Sequence, residues 1–251
     1  MNELARAALI LAASGGAIHL AYVQVIRPKA EAAIDAARIA GVSAPREWAV
    51  ILKDWEQEIC LVLMVFCIVQ IIRRMWSLAS EQYLFGVDVF KETDEGASSL
   101  ADTLDELETL PAEMSGTQLM RALKASLRRY HITGDVQNTS DAIQTSVDAL
   151  GTRFEADNSM IRYIIWAIPS IGFVGTVRGI GQALSQADEA LAGDIAGMTA
   201  SLGTAFNSTL VALLASLVLM LLLHALQRAQ DRRLVDIQAY CEEFLLKRIS
   251  R

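Results

Sequence analysis

Six hydroxyl and amide side chains lie within two of the most apolar stretches of the chain. They are Ser170, Thr176, Thr204, Asn207, Ser208 and Thr209. Groups of this kind are costly to place against lipid unless they are hydrogen-bonded. Each hydroxyl could bond to the carbonyl four residues earlier in its own helix, or the set could form a polar stripe facing water, a pore or a partner helix. The amide of Asn207 is harder to satisfy within its own backbone, which favours the stripe.

The sequence lacks the patterns of the common enzymes. It contains no P-loop, no His-Glu-x-x-His and no Gly-x-Ser-x-Gly sequence, and these are the patterns that mark nucleotide, zinc-protease and hydrolase sites. The three cysteines and three histidines are scattered, which is not the spacing of a metal site. The net charge of −7 gives nucleic acid no basic surface to bind. We therefore expect no enzymatic activity, no metal or cofactor and no nucleic-acid partner.

The two apolar stretches are predicted to form a transmembrane hairpin over residues 161–227. Residues 195–227 contain no charged side chain, and residues 163–187 contain only Arg178. Either stretch is long enough to cross a bilayer. Arginines flank the outer ends of the hairpin and acidic residues occupy its turn, so the positive-inside rule predicts cytoplasmic ends and an external turn. Arg178 is expected near the outer interface, where it can snorkel or pair with Asp188 or Glu189.

Residues 1–76 are predicted to hold two further membrane helices joined by an external linker. Residues 7–26 are uncharged and could just span, although a helix lying at the interface is the alternative. The linker is expected to cover residues 27–57 and to include a short amphipathic helix over 31–38. The second helix is centred on the uncharged run 59–72, which acidic residues precede and paired arginines follow. That charge order predicts an out-to-in direction.

The remaining segments are predicted to be cytoplasmic and helical. Residues 77–160 form a polar insert with an acidic helix over 94–110 and a basic helix over 117–130. From residue 139 the apolar residues recur at helical spacing without a break into the membrane, so a long continuous helix is expected. Residues 228–251 continue the last membrane helix as a cytoplasmic C-terminal helix. The fold class is therefore an all-α membrane protein, a transmembrane bundle with long cytoplasmic helical extensions.

A motif in the hairpin resembles the MotA/TolQ/ExbB ion-channel family. It reads Pro-x-x-Gly-x-x-Gly-Thr-Val-x-Gly-Ile and includes Pro169, Gly172, Gly175 and Gly179, small residues that would let helices pack closely. The resemblance implies a pentameric ring of subunits around a dimer of a single-span MotB/TolR/ExbD-like protein. It also implies that Thr176 and Thr209 line the ion path. Neither pore helix carries a carboxylate, and Thr204 stands where ExbB and TolQ have a glutamate, so the partner is expected to supply a membrane aspartate.

The function implied is that of the pore-forming subunit of an ion-driven rotary motor in the bacterial inner membrane. Proton flux, less readily sodium flux, would be coupled to mechanical work. One alternative is a non-conducting membrane scaffold, in which the polar stripe packs against neighbouring helices without water between them. Another is the same motor in a specialised anti-phage system of the Zorya type. The attached domain of the single-span partner would separate flagellar, envelope-energising and defence roles.

Overall fold

The computed structural model describes residues 3–40, 45–86, 104–105, 107, 109 and 112–249. Every regular element in this part of the chain is helical, as the sequence predicts. Contacts divide the chain into two compact units. The hairpin unit comprises Met1–Ile72 and Met160–His224, and the insert unit comprises Arg73–Ser159 and Ala225–Arg251.

The N-terminal segment of the hairpin unit is one continuous run of helix. Helix α1 (Glu3–Ala21) passes through a π-helical turn (Tyr22–Ile26) into helix α2 (Arg27–Ile39). Helix α2 includes residues 31–38, where the short amphipathic helix is predicted, and it continues α1 without a break. Pro28 lacks the N–H of an ordinary helical residue, but the widened turn precedes it, with the Arg27 N–H bonded to the Tyr22 carbonyl five residues back. This local change of hydrogen bonding lets the helix pass the proline.

Two further helices of the hairpin unit begin after residue 45. Helix α3 (Trp48–Ile51) is a single turn. Helix α4 (Trp55–Ser80) contains the apolar run 59–72. It begins with two fully buried polar residues, Glu56 and Gln57.

The predicted hairpin consists of two long helices. After two insert-unit helices, α5 (Ala112–Ser115) and α6 (Gln118–Thr133), helix α7 extends over Val136–Ser185 and its 50 residues confirm the long continuous helix. The turn contains α8 (Ala187–Leu191) and Gly193, whose φ of 103° suits a residue without a Cβ. Helix α9 follows over Ala196–Tyr240.

Four helical segments in the described part of the chain are long and apolar enough to cross a membrane. They are Ala5–Ile39, Trp55–Phe85, Val136–Ser185 and Ala196–Ile249. Their number agrees with the two N-terminal spans and the hairpin expected from the sequence. The chain is thus a multi-pass helical membrane protein.

The insert unit has its own apolar core. Helix α6, which ends at Gly134 with φ of 60°, buries Leu119, Leu123 and Leu127 against residues of α7 and the end of the chain. There α9 continues through a π-helical turn (Cys241–Leu246) into α10 (Lys247–Ile249). The predicted acidic helix over 94–110 lies largely outside the described residues, although Leu104 and Leu107 are helical and join this core.

Candidate ion pathway in the transmembrane hairpin

Three glycines of α7 let its backbone approach α9 very closely. A methyl group built on Gly172 would overlap the Cβ of Ala212, and one built on Gly175 would lie 2.5 Å from the Cβ of Ser208. At Gly179 the new carbon would meet the Ala205 backbone nitrogen at 2.7 Å. Carbon atoms in contact normally stay about 3.5–4.0 Å apart, so no side chain larger than hydrogen fits at these positions.

The close crossing brings the two threonines of the hairpin together. The Thr176 hydroxyl contacts the Thr209 hydroxyl directly, and it also lies 3.0 Å from the carbonyl oxygen of Ala205 on α9. Each threonine additionally reaches the Gly172 carbonyl, at 3.3 Å from Thr176 and 3.5 Å from Thr209. Both side chains are half-buried. The pair therefore forms a small polar site between the helices, with hydroxyl groups able to bind water or a cation.

A second polar contact joins α4 to the same region of α9. The side-chain amide of Gln57 donates to the Ser208 hydroxyl at 3.2 Å, and Ser208 donates to the Thr204 carbonyl at 3.0 Å. Both Gln57 and Ser208 are buried. The hydrogen bond to the carbonyl four residues earlier, expected as the simple alternative, is thus present at Ser208. The same hydroxyl also accepts a hydrogen bond from Gln57 of a different helix.

Arg178 of α7 is paired with Glu56, in the first turn of α4, and with Asp54 just before that helix. Its guanidinium binds both carboxylate oxygens of Glu56, with Nε–Oε1 at 2.6 Å and Nη2–Oε2 at 2.9 Å. Asp54 lies 3.3 Å away. The expected pairing with Asp188 or Glu189 is therefore wrong. The bidentate arrangement is the strong form of such pairs. Gly175 has no side chain, so the Cγ of Glu56 can lie beside it while the carboxylate binds the guanidinium.

The remaining polar residues of the predicted stripe lie in different environments. Thr204 is buried and Asn207 half-buried, and both line a cavity of about 540 Å³ beside α2 and α3. Three basic side chains and one acidic side chain also line this cavity: Arg38, Arg46, Lys53 and Asp194. Ser170 is exposed and donates only to the Trp166 carbonyl of its own helix, at 3.3 Å. The structure thus separates Ser170 from the other five residues.

Pro169 lies inside α7, and its effect on the helix is compensated from α9. A proline cannot donate to the carbonyl four residues earlier, which here is that of Ile165. The buried Ser216 hydroxyl donates to this carbonyl instead, at 2.9 Å. The sequence analysis missed Ser216, and the signal for it is indirect. A proline within a helix predicts a free carbonyl, but not which residue of another helix will bind it.

No cluster of three or more histidine, cysteine, aspartate or glutamate side chains suited to a metal ion occurs among residues 3–40, 45–86 and 104–249 as far as they are described. Cys60, Cys67 and Cys241 are all buried and unbridged. What the hairpin offers chemically is a set of hydroxyl, amide and carbonyl groups beside a buried ion pair.

These features define a multi-pass helical membrane protein with a polar site between two closely packed spans. The profile of the MotA/TolQ/ExbB proton channel family matches residues 115–239. This range includes α6, α7, α8 and α9 as far as residue 239. The chain belongs to that family of channel and stator-type motor proteins. No significant match is found among curated proteins or among solved structures. The family match does not extend to α4, the helix that carries Glu56.

Proposed function

We propose that this chain is the pore-forming subunit of an ion-driven rotary motor. The observation that carries the proposal is the Thr176–Thr209 hydroxyl pair, placed at the tight crossing of two spans within the segment that matches the family. Half-buried hydroxyls can replace part of the water shell of a cation without adding a fixed charge that would trap it. Membership of a family of membrane channels and the polar site between two spans together favour cation conduction.

In this proposal five copies surround a dimer of a single-span MotB/TolR/ExbD-like protein in the bacterial inner membrane. Protons, less readily sodium ions, pass beside the threonines and reach a membrane aspartate of the partner. Both ends of the hairpin and the C-terminus lie in the cytoplasm, and α8 lies outside. A charge that crosses 100 mV releases about 2.3 kcal/mol, so a few ions per step supply enough energy for a conformational change.

The double variant Thr176→Val, Thr209→Val tests the proposal. Valine keeps the shape of threonine and removes the hydroxyl, so the helices should still pack. Ion flux should fall by about tenfold, the change in rate that corresponds to the loss of roughly one hydrogen bond, about 1.4 kcal/mol, along the path. The affinity-tagged assembly would be purified with its partner from native membranes and reconstituted in liposomes. Assembly is followed by size exclusion, and flux by an internal pH-sensitive dye.

Thr152→Val is the matched control. This threonine lies on the same helix, is exposed, and donates only to the Asp148 carbonyl at 3.0 Å, so its loss should leave flux unchanged. Normal assembly with undiminished flux in the double variant would refute the pore assignment. That result would favour the scaffold, in which each hydroxyl contributes only its hydrogen bond, about 1 kcal/mol.

A further inference from the structure

The apolar stretch of α7, residues 163–185, carries one positive charge, Arg178, and the subunit neutralises that charge with acidic residues at the start of a different span. Arg178 and Thr176 are two residues apart, about 200° around the helix, so they point to opposite faces. The guanidinium thus lies about 10 Å from the hydroxyl pair, the diameter of a helix. At that distance and at an effective dielectric constant of about 20, a single uncompensated charge changes the occupancy of a cation by roughly tenfold.

The neutralising groups are Asp54, which immediately precedes α4, and Glu56 in the first turn of that helix. Glu56 is fully buried and binds the guanidinium through both oxygens, and Asp54 adds a second carboxylate at 3.3 Å. One guanidinium against two carboxylates leaves this cluster with a net charge of −1. One oxygen of Asp54, Oδ2, is buried without a hydrogen-bond partner. Arg178 therefore neutralises the negative charge of this carboxylate only in part.

The acidic residues around Arg178 also contact the residues next to the Thr176–Thr209 hydroxyl pair. The stem of Glu56 lies against Gly175, the residue before Thr176, and Gln57 of the same turn binds Ser208, the residue before Thr209. The negative charge is therefore held in place relative to both threonines by contacts on each side.

We propose that Glu56 and Asp54 are specificity-determining residues of the ion path. They cancel the positive charge that Arg178 places in the pore helix and leave a small negative excess, so that the path admits cations. This inference rests on the proposed function. Glu56 lies outside residues 115–239, the part of the chain that matches the family, so the assignment comes from the contacts of this subunit alone.

The test compares charge variants of the cluster in the liposome assay, with an imposed potassium diffusion potential and a pH-sensitive dye inside. Glu56→Gln keeps the shape of the side chain and leaves Arg178 with reduced compensation, so proton flux should fall by about tenfold. The double variant Glu56→Gln, Arg178→Gln removes both charges of the pair, and its flux should return to within about threefold of the wild type. Asp54→Asn also changes the net charge of the cluster from −1 to 0, so its flux should fall by a similar factor.

Glu58→Gln is the control, because Glu58 lies on the same turn but binds Arg27 and His19 rather than the hairpin. Its flux should equal that of the wild type. If Glu56→Gln fails to assemble, Asp54→Asn carries the test, because it keeps the bidentate pair of Glu56 and Arg178; wild-type flux in that variant would then overturn the inference. Wild-type flux in Glu56→Gln, or an equal loss in the single and double variants, would overturn the inference while leaving the proposed function intact. Absence of flux in the wild-type assembly would overturn both.

Discussion

The close packing of α7 on α9 can be tested with a single added methyl group. In Gly179→Ala the new carbon would lie 2.7 Å from the Ala205 nitrogen, 2.8 Å from the Ala205 Cβ and 2.8 Å from the Ser201 carbonyl oxygen. Two of these atoms belong to the backbone and cannot rotate away. The helices must therefore separate by roughly 1 Å to restore ordinary contact distances.

The expected cost follows from overpacking. Inserting one carbon into a packed contact typically costs about 1–3 kcal/mol, and Gly179 should lie at the upper end because backbone atoms oppose the methyl group. Gly181→Ala is the matched control on the same helix, since a methyl group there meets nothing within 4 Å. That substitution should be neutral or should stabilise α7 by up to about 1 kcal/mol, the helix-propensity difference between glycine and alanine.

The assay is equilibrium unfolding in mixed micelles with increasing sodium dodecyl sulfate, followed by circular dichroism. Gly179→Ala should unfold at a lower mole fraction of the denaturing detergent than the wild type, and Gly181→Ala at an equal or higher one. Equal midpoints for the two variants would refute the reasoning, because the substitutions are chemically identical and differ only in what surrounds the methyl group.

Two further predictions concern assembly and topology. Native mass spectrometry in mild detergent should give a homopentamer, and spectra with only monomers or dimers would contradict the proposed ring. Ala190→Cys, in the turn of the hairpin, should react with a membrane-impermeant maleimide in whole cells, whereas Ala239→Cys should react only after lysis. The native cysteines are all buried, so background labelling should be low, and the reverse pattern would invert the proposed topology.

Periodicity and hydropathy predicted the helical class, the four apolar segments and the unbroken course of α7. These properties are local, because a run of uncharged residues or a recurring apolar position is visible within one segment. The glycine spacing around Gly175 also indicated close helix contact, although not that Ser208 and Glu56 would both lie against this residue.

The course of the N-terminal segment was not predictable from local rules. Pro28 and the charges that follow Ile26 are typical of a linker, and the π-helical turn that carries the helix past the proline has no sequence signature. The positive charges of Arg27 and Lys29 each have a partner on another helix. Arg27 binds Glu58 at 2.6 Å, and Lys29 lies over the ring of Trp48 at 5.3 Å.

The partner of Arg178 shows most clearly where sequence reasoning stops. The nearest acidic residues along the chain, Asp188 and Glu189, seemed the natural choice, but the bidentate pair forms with Glu56, 122 positions away. Removing one member of a buried pair typically costs about 3–5 kcal/mol, so an arginine in a membrane helix demands a carboxylate from some element packed against it. Three acidic residues stand at alternate positions around the start of α4, Asp54 just before it and Glu56 and Glu58 in its first turn. Only the packing of that helix decides which of them faces the pore helix. An ionisable residue within one span therefore has to be interpreted together with the ends of all other spans, not only with its sequence neighbours.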